Sequence, residues 1–430
     1  MRMNIDSTIQ HDLCCGCGVC AGICPKGCIS WERRNGLFLP QINNGLCINC
    51  GLCSAVCPGL GHTYVPMETA AETVTGPVKV TFNAWSKDPA LRHVCASGGV
   101  ISTMIRALLE NGMYDGAFCL DSYDYRDQLK TRLYTPEQIN ACWADSKGPK
   151  SRYLPVSHEN AVRYMKENRK QRLVFVGTSC AIRGLQAALQ QLKLDRSQYL
   201  FIGLFCDKVF NYNVLPYFEN TYAHGAKLEA LHFKNKESGG WPGDMKFYPE
   251  GQDPFYVPLA ERAKAKAYFM AERCLYCVDK LNVCADISLG DNYTGKDESP
   301  LGSNSVIVRS DAGMEAWSAV KELLELRPIG IEDIQNAQAV DWRLDQLYYG
   351  DLRSSNSNVP DLNRGVPREK VCTSFKTAYR TALKRLKTGA VYDTDPDALL
   401  KQMRKDKKKP NPVVRFIRRA AGFVRRRLMR

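Results

Sequence analysis

The first 57 residues contain one cysteine pattern twice, and this repeat constrains the fold more than any other feature of the chain. Each copy has three cysteines spaced by two residues, then a fourth cysteine after three more residues, and then proline. The eight positions are Cys14, Cys17, Cys20 and Cys24, followed by Cys47, Cys50, Cys53 and Cys57. Three thiolates on so short a loop can converge on one inorganic cluster, and the doubled spacing is typical of a segment that holds two [4Fe-4S] clusters.

In segments of this kind the fourth cysteine of each copy binds the cluster of the other copy. We therefore expect Cys57 to join the first triplet and Cys24 to join the second. The alternatives are a zinc site, which uses two C-x2-C pairs, and a disulfide framework, which suits short secreted chains. Triplets with a trailing Cys-Pro favour iron and sulfur over both. Cys15 and Cys28 lie outside the pattern and are expected to be spare thiols.

The rest of the chain is much larger than this segment. Its 430 residues, of which 44% are hydrophobic, are enough for a sizeable core and about three domains. No signal peptide is recognised after Met1, and no apolar run reaches the roughly 18 residues that span a bilayer. The 19 cysteines, together with the predicted clusters, indicate a reducing compartment. We therefore expect a cytoplasmic protein.

The positive charge is concentrated at the C-terminal end. Residues 401–430 contain 13 Lys or Arg residues and one acid, a local charge of +12 within a total of +14. The preceding 400 residues therefore carry only 14 − 12 = +2. Because the body is almost neutral, a general nucleic-acid-binding surface is not expected.

Hydrophobic periodicity and turn residues predict an α/β body behind the cysteine-rich segment. The expected fold class is α+β or α/β: a bacterial-ferredoxin-like module, then a mixed α/β domain, then a helical C-terminal extension. The predicted units are the module at 1–65, a linker at 66–77, the α/β domain at 78–340, the extension at 341–400 and a basic tail at 401–430. Strands are predicted at 78–85, 116–120, 172–176, 199–205 and 305–308, and helices at 98–110, 181–192 and 370–386.

A second set of cysteines lies in the body. Cys180 follows a predicted strand, Cys206 ends another, and Cys274, Cys277 and Cys284 share one segment. Thiolates from strand ends and a loop could meet at the carboxyl edge of a sheet, where α/β proteins bind their ligands. The alternative is that Cys180 and Cys206 are small buried hydrophobic residues.

Two glycine-containing turns begin helices and could bind phosphate. Ser97-Gly98-Gly99 directly precedes a predicted helix, and Gly177-Thr178 joins a predicted strand to the next helix. Free backbone N–H groups at a helix N-terminus attract anions, and Lys150 with Ser151 could add a cation and a hydroxyl. The alternative is that each turn only caps its helix. No G-x-G-x-x-G sequence is present, so a standard dinucleotide fingerprint is absent.

Taken together in this order, the motifs resemble the coenzyme F-420 hydrogenase/dehydrogenase beta-subunit family, whose relatives include 7-hydroxymethyl chlorophyll a reductase and a ferredoxin-dependent divinyl chlorophyllide reductase. The resemblance covers roughly residues 10–310. The matching blocks are CCGCGVC at 14–20, SGGVISTMIRALLENGMYDGA at 97–117, GPKSRYLPV at 148–156, VFVGTSCAIRGLQ at 174–186, GLFCDKV at 203–209 and RCLYCVDKLNVCADISLGDNY at 273–293.

The resemblance implies an FAD-binding α/β domain and an oxidoreductase that couples two [4Fe-4S] clusters to FAD. The implied flavin contacts are Ser97, Gly98, Gly99, Lys150, Ser151, Gly177 and Thr178. The implied ligands of a third [4Fe-4S] cluster are Cys180, Cys206, Cys274 and Cys277. Where the family has Gly-Thr-Pro-Cys-Gln, this chain has Ser179 and Ala181 in place of proline and glutamine, which affects the geometry of that loop.

Clusters pass single electrons and a flavin can convert them into pairs, so the expected activity is transfer between a redox partner and a small organic substrate or coenzyme. The partner is expected to be a ferredoxin or a reduced coenzyme. Lys150, Asp207, Asp291 and Tyr293 are candidate proton donors, and we assign Lys150 to catalysis. Relatives in cell-surface polysaccharide pathways extend the expected substrates to that metabolism. The alternatives are an electron-transfer subunit docked on an enzyme and a regulatory cluster protein.

The basic tail has an apolar stripe as well as charge. From 413 to 429, apolar residues including Phe416 and Phe423 recur every three or four positions, with arginines between them. A basic amphipathic helix of this kind suits the surface of an anionic membrane, which would make the protein peripheral at the inner face. A solvated tail or a nucleic-acid-binding arm is the alternative.

Overall fold

The computed structural model describes residues 4–61, 70–120, 127–139, 151–355 and 375–407, together with Val359 and Leu362. The strands in chain order are β1 Ile29–Arg34, β2 Leu37–Ile42, β3 Val80–Ser86, β4 Gly116–Leu120, β5 Thr131–Tyr134, β6 Leu173–Gly177, β7 Tyr199–Leu204, β8 Leu228–Asn235, β9 Asp244–Pro249, β10 Phe255–Val257, β11 Ile287–Asp291, β12 Asn304–Val308 and β13 Leu324–Pro328.

Helices precede, connect and follow these strands. In chain order they are α1 Asp6–Gln10, α2 Val19–Ile23, α3 Leu52–Ala55, α4 Ala70–Thr75, α5 Pro89–Val94, α6 Val100–Glu110, α7 Glu159–Glu167, α8 Ser179–Leu192, α9 Val214–Tyr222, α10 Leu259–Phe269, α11 Asp311–Val320, α12 Ile331–Ala337, α13 Val340–Ser355, α14 Phe375–Ala390 and α15 Pro396–Lys407. Short 3-10 helices lie at Pro58–Leu60, Arg196–Gln198, Glu272–Tyr276 and Lys321–Leu323. Within these ranges no helix is long and apolar enough to cross a membrane.

An eight-stranded mixed sheet forms the centre of the body, in the order β13-β3-β12-β11-β7-β6-β4-β5. Its middle strands β11, β7, β6 and β4 are mutually parallel, and the outer strands pair antiparallel. Parallel strands joined by helices are buried on both faces, which explains why their sequences are nearly continuous apolar runs. Their carboxyl ends all reach the same edge of the sheet, so residues that follow them in sequence meet there.

Each face of the sheet has its own core. On one face Phe118, Phe175 and Phe201 lie directly opposite one another on neighbouring strands, with ring centroids 5.5 and 5.6 Å apart. Helices α7 and α8 cover these rings. On the other face α6 and α11 pack over smaller side chains such as Val174 and Leu200.

The N-terminal module packs directly against the first of these faces. Val19, Ile23 and Val56 belong to the same buried core as Phe175 and Ile182 of the body. The indole N–H of Trp31 donates to Glu159 at 2.8 Å, which adds a polar contact at the rim. A shared apolar core makes the module a fixed part of the molecule.

The predicted elements of the α/β body are confirmed, with ends shifted by no more than about two residues. A mixed α/β fold with a large sheet is therefore present. Helix α14 confirms the helix predicted at 370–386, although its first five predicted residues lie outside the described part. As expected, this helix packs on the body, where the Tyr379 hydroxyl lies 3.3 Å from that of Tyr276.

Three parts of the chain differ from the expectation or lie outside the described residues. The three-stranded sheet β8–β10 was not predicted, although β9 alternates buried and half-buried residues in the way that indicates a strand. Helix α15 runs across the predicted boundary at 400/401, and its Asp406 accepts hydrogen bonds from Arg385 and Tyr268 at 2.8 Å each. The predicted helix at 413–429 lies outside the described residues.

Candidate cofactor site and thiol clusters

The eight pattern thiols separate into two groups around two small cavities. Cavity I is lined by Cys14, Cys17, Cys20 and Cys57. Cavity II is lined by Cys24, Cys47, Cys50 and Cys53. The fourth cysteine of each copy therefore lies on the cavity of the other copy. This is the arrangement that crossed ligation requires, and the ligation itself stays a prediction.

The two cysteines outside the pattern also lie at these sites. The Sγ atoms of Cys28 and Cys24 are 3.4 Å apart, and Cys28 lines cavity II. Cys15 lines cavity I and hydrogen-bonds Cys180 of the body. Each of these two cysteines is therefore a fifth thiol on a cavity that is already lined by four predicted ligands. Sequence spacing does not reveal that they lie so close to those ligands.

The four body cysteines assigned to a third cluster come together as well. Cys180 lies in the first turn of α8, Cys206 follows β7, and Cys274 and Cys277 lie in and after the Glu272–Tyr276 helix. Burial raises the pKa of Cys206, and the charges of the other three thiols raise it further. No group of Cys, His, Asp or Glu in the described ranges could hold a single metal ion. Ligands of a four-iron cluster bind separate irons, so they need not converge on one point.

The electrostatics of these thiols is dominated by burial. It raises the pKa of Cys14 to about 12 and that of Cys274 to about 11. A hydrogen bond from Cys15 instead lowers the pKa of Cys180 to about 6. Buried thiolates need a compensating charge, which iron supplies directly on binding.

Arg273 is a charged residue that the sequence reasoning missed. Its side chain is buried and its Nε donates to the carbonyl of Gly59 at 2.9 Å, which ties the body to the N-terminal module. Although burial raises the pKa of both Cys57 and Cys277 overall, the guanidinium charge opposes this for each. Arg273 thus supplies positive charge between cavity I and the body thiols. Its place beside the C-x2-C pair was the only signal in the sequence.

A much larger cavity, of about 300 Å³, lies at the carboxyl edge of the central sheet. The last residue of each parallel strand lines it: Leu120, Gly177, Leu204 and Asp291. Cys17, Cys180 and Cys206 also reach its wall, so the thiol groups border this space directly. Open α/β sheets bind ligands in this position, and the volume suits a small-molecule cofactor.

The Ser97-Gly98-Gly99 turn forms part of the wall through Ser97 and Gly99. Gly99 has φ +81° and precedes α6, a backbone conformation that favours glycine. A Cβ atom on Gly98 would lie 2.9 Å from the carbonyl oxygen of Ala84 and 2.8 Å from Oδ1 of Asn304. Gly98 therefore permits close packing of the turn on β3 and β12, and the space that a side chain would fill is occupied by protein.

The second turn meets the cavity as well, with Gly177 and Thr178 both on its wall. The Thr178 hydroxyl lies 3.3 Å from the Cys180 sulfur. Ser179, which departs from the family pattern, donates to the carbonyl of Asp279 at 2.8 Å and so joins the turn to the segment after Cys277. Ser151 lines the same cavity. Lys150 lies outside the described residues.

Two of the candidate proton donors lie on one polar network at the cavity. Asp291 forms a buried ion pair with Lys234, which also lines the cavity, and accepts from Trp241 at 3.4 Å and Tyr293 at 3.3 Å. Burial opposes ionisation of both partners, yet each charge favours the other: the pKa of Lys234 is raised and that of Asp291 is lowered. Lys234 was missed, because its strand β8 also contains other polar residues and the lysine does not stand out in the sequence.

The third candidate, Asp207, also lines the cavity. It forms ion pairs with Arg343 and Lys266. Despite partial desolvation, these cations hold its pKa well below the usual range. A carboxylate held ionised in this way is a poor proton donor.

His158 is a further residue on the cavity wall that sequence reasoning did not identify. Its side chain is 2% exposed, and burial lowers its pKa to about 4, so the imidazole is neutral. Its Nδ1 atom has no hydrogen-bond partner in the described parts of the chain. Its backbone N–H donates to the carbonyl of Cys17 at 2.8 Å, which ties this part of the cavity wall to the N-terminal module.

Comparison with known protein families gives matches along most of the chain. The family described as "Coenzyme F420 hydrogenase/dehydrogenase, beta subunit" matches twice, with its N-terminal part at residues 81–162 and its C-terminal part at residues 170–331. A "4Fe-4S dicluster domain" matches residues 13–59. The two beta-subunit matches together cover more than half of the chain, and the dicluster match covers both cysteine triplets.

The individual relatives share only about a quarter of their aligned residues with this chain. The chain is 26% identical to one of the subunits of the F(420)H(2) dehydrogenase of Methanosarcina mazei, over 76% of this chain and 87% of that protein. It is 24% identical to the coenzyme F420-dependent sulfite reductase of Methanocaldococcus jannaschii over 77% of this chain, which spans 49% of that protein. Among solved structures, a chain of the F420-reducing [NiFe] hydrogenase complex from Methanosarcina barkeri aligns over 68% of this chain and 96% of its own length, with 22% identity and a TM-score of 0.49.

Proposed function

Since the chain belongs to the coenzyme F420 hydrogenase/dehydrogenase beta-subunit family and carries an N-terminal 4Fe-4S dicluster domain, we propose that it is an iron-sulfur flavoprotein oxidoreductase. In this proposal it exchanges electrons between a redox partner and a small organic substrate or coenzyme, with FAD in the large cavity. The observation that carries the proposal is the continuity of the three thiol groups with that cavity.

The continuity is built from short contacts. Cys28 and Cys24 mark cavity II, and the crossed positions of Cys24 and Cys57 join it to cavity I. From cavity I, the hydrogen bond between Cys15 and Cys180 leads to the body thiols. Cys180 and Cys206 then line the large cavity. The chain therefore holds its thiol groups in one series, from the N-terminal module to the carboxyl edge of the central sheet.

The residues present fit the proposed cofactors. Each thiol group offers four soft sulfur ligands, which suit iron-sulfur clusters. Ser97, Gly99, Ser151, Gly177 and Thr178 would hold FAD at the helix N-termini and along the strand ends. When bound, the clusters supply one-electron transfer and the flavin supplies conversion between single electrons and pairs.

The chain itself must also move a proton when an electron pair reaches an organic substrate. Lys234 is a buried cation on the cavity wall, and its pairing with Asp291 keeps it protonated and oriented. Tyr293, 46% exposed and within 3.3 Å of Asp291, extends this network towards solvent. Because the pKa of Lys234 is raised, this network holds its proton, and we assign to it the placement of a fixed positive charge on the cavity wall. Lys150 is kept as the sequence-based candidate for the proton donor.

Cofactor analysis of anaerobically purified protein tests the proposal. We expect about 12 iron and 12 acid-labile sulfide per chain, from three clusters of four, and one FAD that bleaches with dithionite. Protein that contains zinc in place of iron, or that takes up no flavin after reconstitution, would contradict it. Screening against nicotinamides, a deazaflavin and reduced ferredoxin would then identify the partner. A substrate from cell-surface polysaccharide metabolism stays a prediction.

The second candidate is an electron-transfer subunit without substrate chemistry of its own. It is favoured by relatives that are named as subunits of dehydrogenase and hydrogenase enzymes. The two candidates differ in one measurement: the isolated chain would reduce a substrate in the first case, and would only pass electrons to a partner protein in the second.

A further inference from the structure

Arg273 connects the segment that carries the body thiols to the end of the N-terminal module. It directly precedes Cys274 in the chain, and its side chain is 5% exposed. Its Nε donates to the carbonyl of Gly59 at 2.9 Å, and its Nη2 donates to that of Pro58 at 3.4 Å. Both of these residues line cavity I and follow Cys57 directly. The guanidinium group is therefore bound to the backbone beside a predicted cluster ligand.

The same two peptide groups also reach the sulfur atom of Cys57. Burial raises the pKa of this thiol, and hydrogen bonds from the backbone N–H groups of Gly59 and Leu60 oppose the rise. The position that a Cβ atom on Gly59 would take lies 3.3 Å from the sulfur. The Gly59 N–H shares a peptide group with the Pro58 carbonyl, and the Leu60 N–H shares one with the Gly59 carbonyl. A trans peptide group points its carbonyl and its N–H in opposite directions, so Arg273 binds one side of each peptide and Cys57 binds the other.

This arrangement favours negative charge on the sulfur. Hydrogen bonds that follow one another in a chain polarise each other, so a cation on the carbonyl side strengthens the bond that the N–H makes. An iron-sulfur cluster gains negative charge when it is reduced, and its potential depends on hydrogen bonds to its sulfur atoms and on nearby charge. A buried cation acts strongly, because water screens it little.

We propose that Arg273 is a positioning residue that raises the midpoint potential of the cluster expected in cavity I, through the two peptide groups that donate to Cys57. This inference rests on the proposed function, since it requires iron-sulfur clusters at these thiols. In the body thiol group, burial raises the pKa of Cys277 and the charge of Arg273 opposes the rise. The third cluster should therefore respond to the charge, and the cavity I cluster to both the charge and the hydrogen bonds.

Two substitutions separate the charge from the hydrogen bonds. Arg273→Lys keeps the charge, but a single ammonium group does not reproduce the planar fork that binds two carbonyls. Arg273→Met removes the charge and both bonds and leaves an unbranched side chain. Arg309→Met is the matched control, because Arg309 is also 5% exposed and donates to the carbonyls of Thr75 and Pro77 at 2.7 Å each. Neither of these acceptors lines cavity I.

The measurements are iron content and the midpoint potential of each cluster, from anaerobic titration followed by EPR, with the signals assigned in Cys17→Ser and Cys277→Ser proteins. In Arg273→Met we expect reduction of the cavity I cluster to be about tenfold less favourable, a potential about 59 mV more negative for one electron. The third cluster should shift in the same direction by less. In Arg273→Lys the cavity I potential should still fall, whereas the third cluster should stay within about twofold of the parent. The cavity II cluster, all potentials in Arg309→Met, and the iron content should not change.

Thr8→Val measures independently how the cavity I cluster responds to a hydrogen bond at Cys57. The Thr8 hydroxyl lies 3.4 Å from the Cys57 sulfur, the side chain is 1% exposed, and valine has a similar shape. This variant should lower the cavity I potential alone. If Thr8→Val lowers that potential and Arg273→Met does not, the inference is wrong.

The remaining outcomes distinguish failure of the inference from failure of the proposed function. A parent protein that holds no iron-sulfur cluster would remove the proposed function itself. If the parent holds its clusters and Arg273→Met leaves the cavity I potential unchanged, the inference alone is wrong. If the Arg273 variants lose iron, or if Arg309→Met lowers the same potentials, Arg273 acts through packing and the inference is also wrong.

Discussion

At the scale of single residues, sequence spacing predicts which cysteines line the two module cavities better than it predicts which residues contact those cysteines. The repeated cysteine pattern identified eight thiols. Cavities I and II are each lined by the set of four that crossed ligation predicts. Spacing could not place Cys15 next to Cys180, because that contact depends on how the module packs on the body. For the same reason Arg273 and His158 were missed. Both contact thiol-bearing loops that are distant in the chain.

Crossed ligation can be tested by comparing single and double substitutions. Cys17→Ser and Cys57→Ser should each lose about four iron, because both thiols line cavity I. The double variant should lose the same four and no more. Iron and acid-labile sulfide per chain are the measurements. If the double variant loses about eight, each copy of the pattern binds its own cluster.

The third cluster has a matched control within one segment. Cys277→Ser should lower iron by about four per chain, since Cys277 belongs to the body thiol group. Cys284 lies only seven residues further on, and its pKa is raised by burial without influence from another thiol. Cys284→Ser should therefore keep the full iron content. Equal iron in the two variants would place the third cluster elsewhere or remove it.

At the scale of elements, the strands and helices around the cavity follow from apolar periodicity and glycine positions. The prediction succeeded there because the four parallel strands are continuously apolar and their helices are amphipathic. It did not extend to β8–β10, whose strands supply Lys234. The flavin contact expected of Gly98 stays a prediction, and the structure adds a separate reason for glycine there, since a Cβ atom would meet β3 and β12.

Substitution of Gly98 is still expected to cause loss of flavin, but for a different reason. In Gly98→Val the added side chain would overlap Ala84 and Asn304, so the turn and the start of α6 must shift away from β3 and β12, which changes the cavity wall formed by Ser97 and Gly99. We expect flavin content to fall severalfold, with cluster iron retained. Gly112→Asn is the control at the other end of α6, where a Cβ atom meets nothing within 4 Å and asparagine tolerates the positive φ of +70°.

The loop that carries cavity II suggests where electrons enter. Leu46 and Ile48 are 55% and 57% exposed on either side of Cys47. In the double variant Leu46→Glu/Ile48→Glu, cluster reduction by a reduced ferredoxin should slow about tenfold, because two charges are placed in an apolar contact. Reduction by dithionite should be unchanged. Leu323→Glu, at an equally exposed leucine far from the thiols, is the control. Equal slowing with dithionite would indicate damage to the cluster.

At the scale of the whole molecule, the module, the α/β body and the C-terminal helices form one packed unit. Val56 of the module is buried with Phe175 of the body. Arg385 and Asp406 join α14 to α15, and Tyr268 of α10 donates to Asp406 and so ties both helices to the body. Composition alone placed the start of the basic tail at 401. The structure shows α15 packed as far as Lys407, with Leu399 fully buried, so four of the basic residues belong to the packed unit.

The tail prediction therefore concerns residues 408–430, which contain nine Lys or Arg residues and no acid. Each cation near an anionic surface contributes about 1 kcal/mol, and an apolar stripe would anchor the helix in the interface. Full-length protein should sediment with vesicles that contain anionic lipid, whereas a chain ending at Lys407 should stay in solution with unchanged dye reduction. Ending at Lys407 preserves the contacts of Asp406 with Arg385 and Tyr268.

The variant Phe416→Ser/Phe423→Ser separates charge from apolar insertion, because it keeps all nine cations. Its binding should be weak and lost as salt rises, since exposed charges are screened over about 10 Å at 0.1 M. The parent should retain part of its binding at high salt, where only the apolar contribution remains. If the double serine variant binds as tightly as the parent under those conditions, the tail does not insert in the interface. A peripheral membrane location would then lose its physical basis.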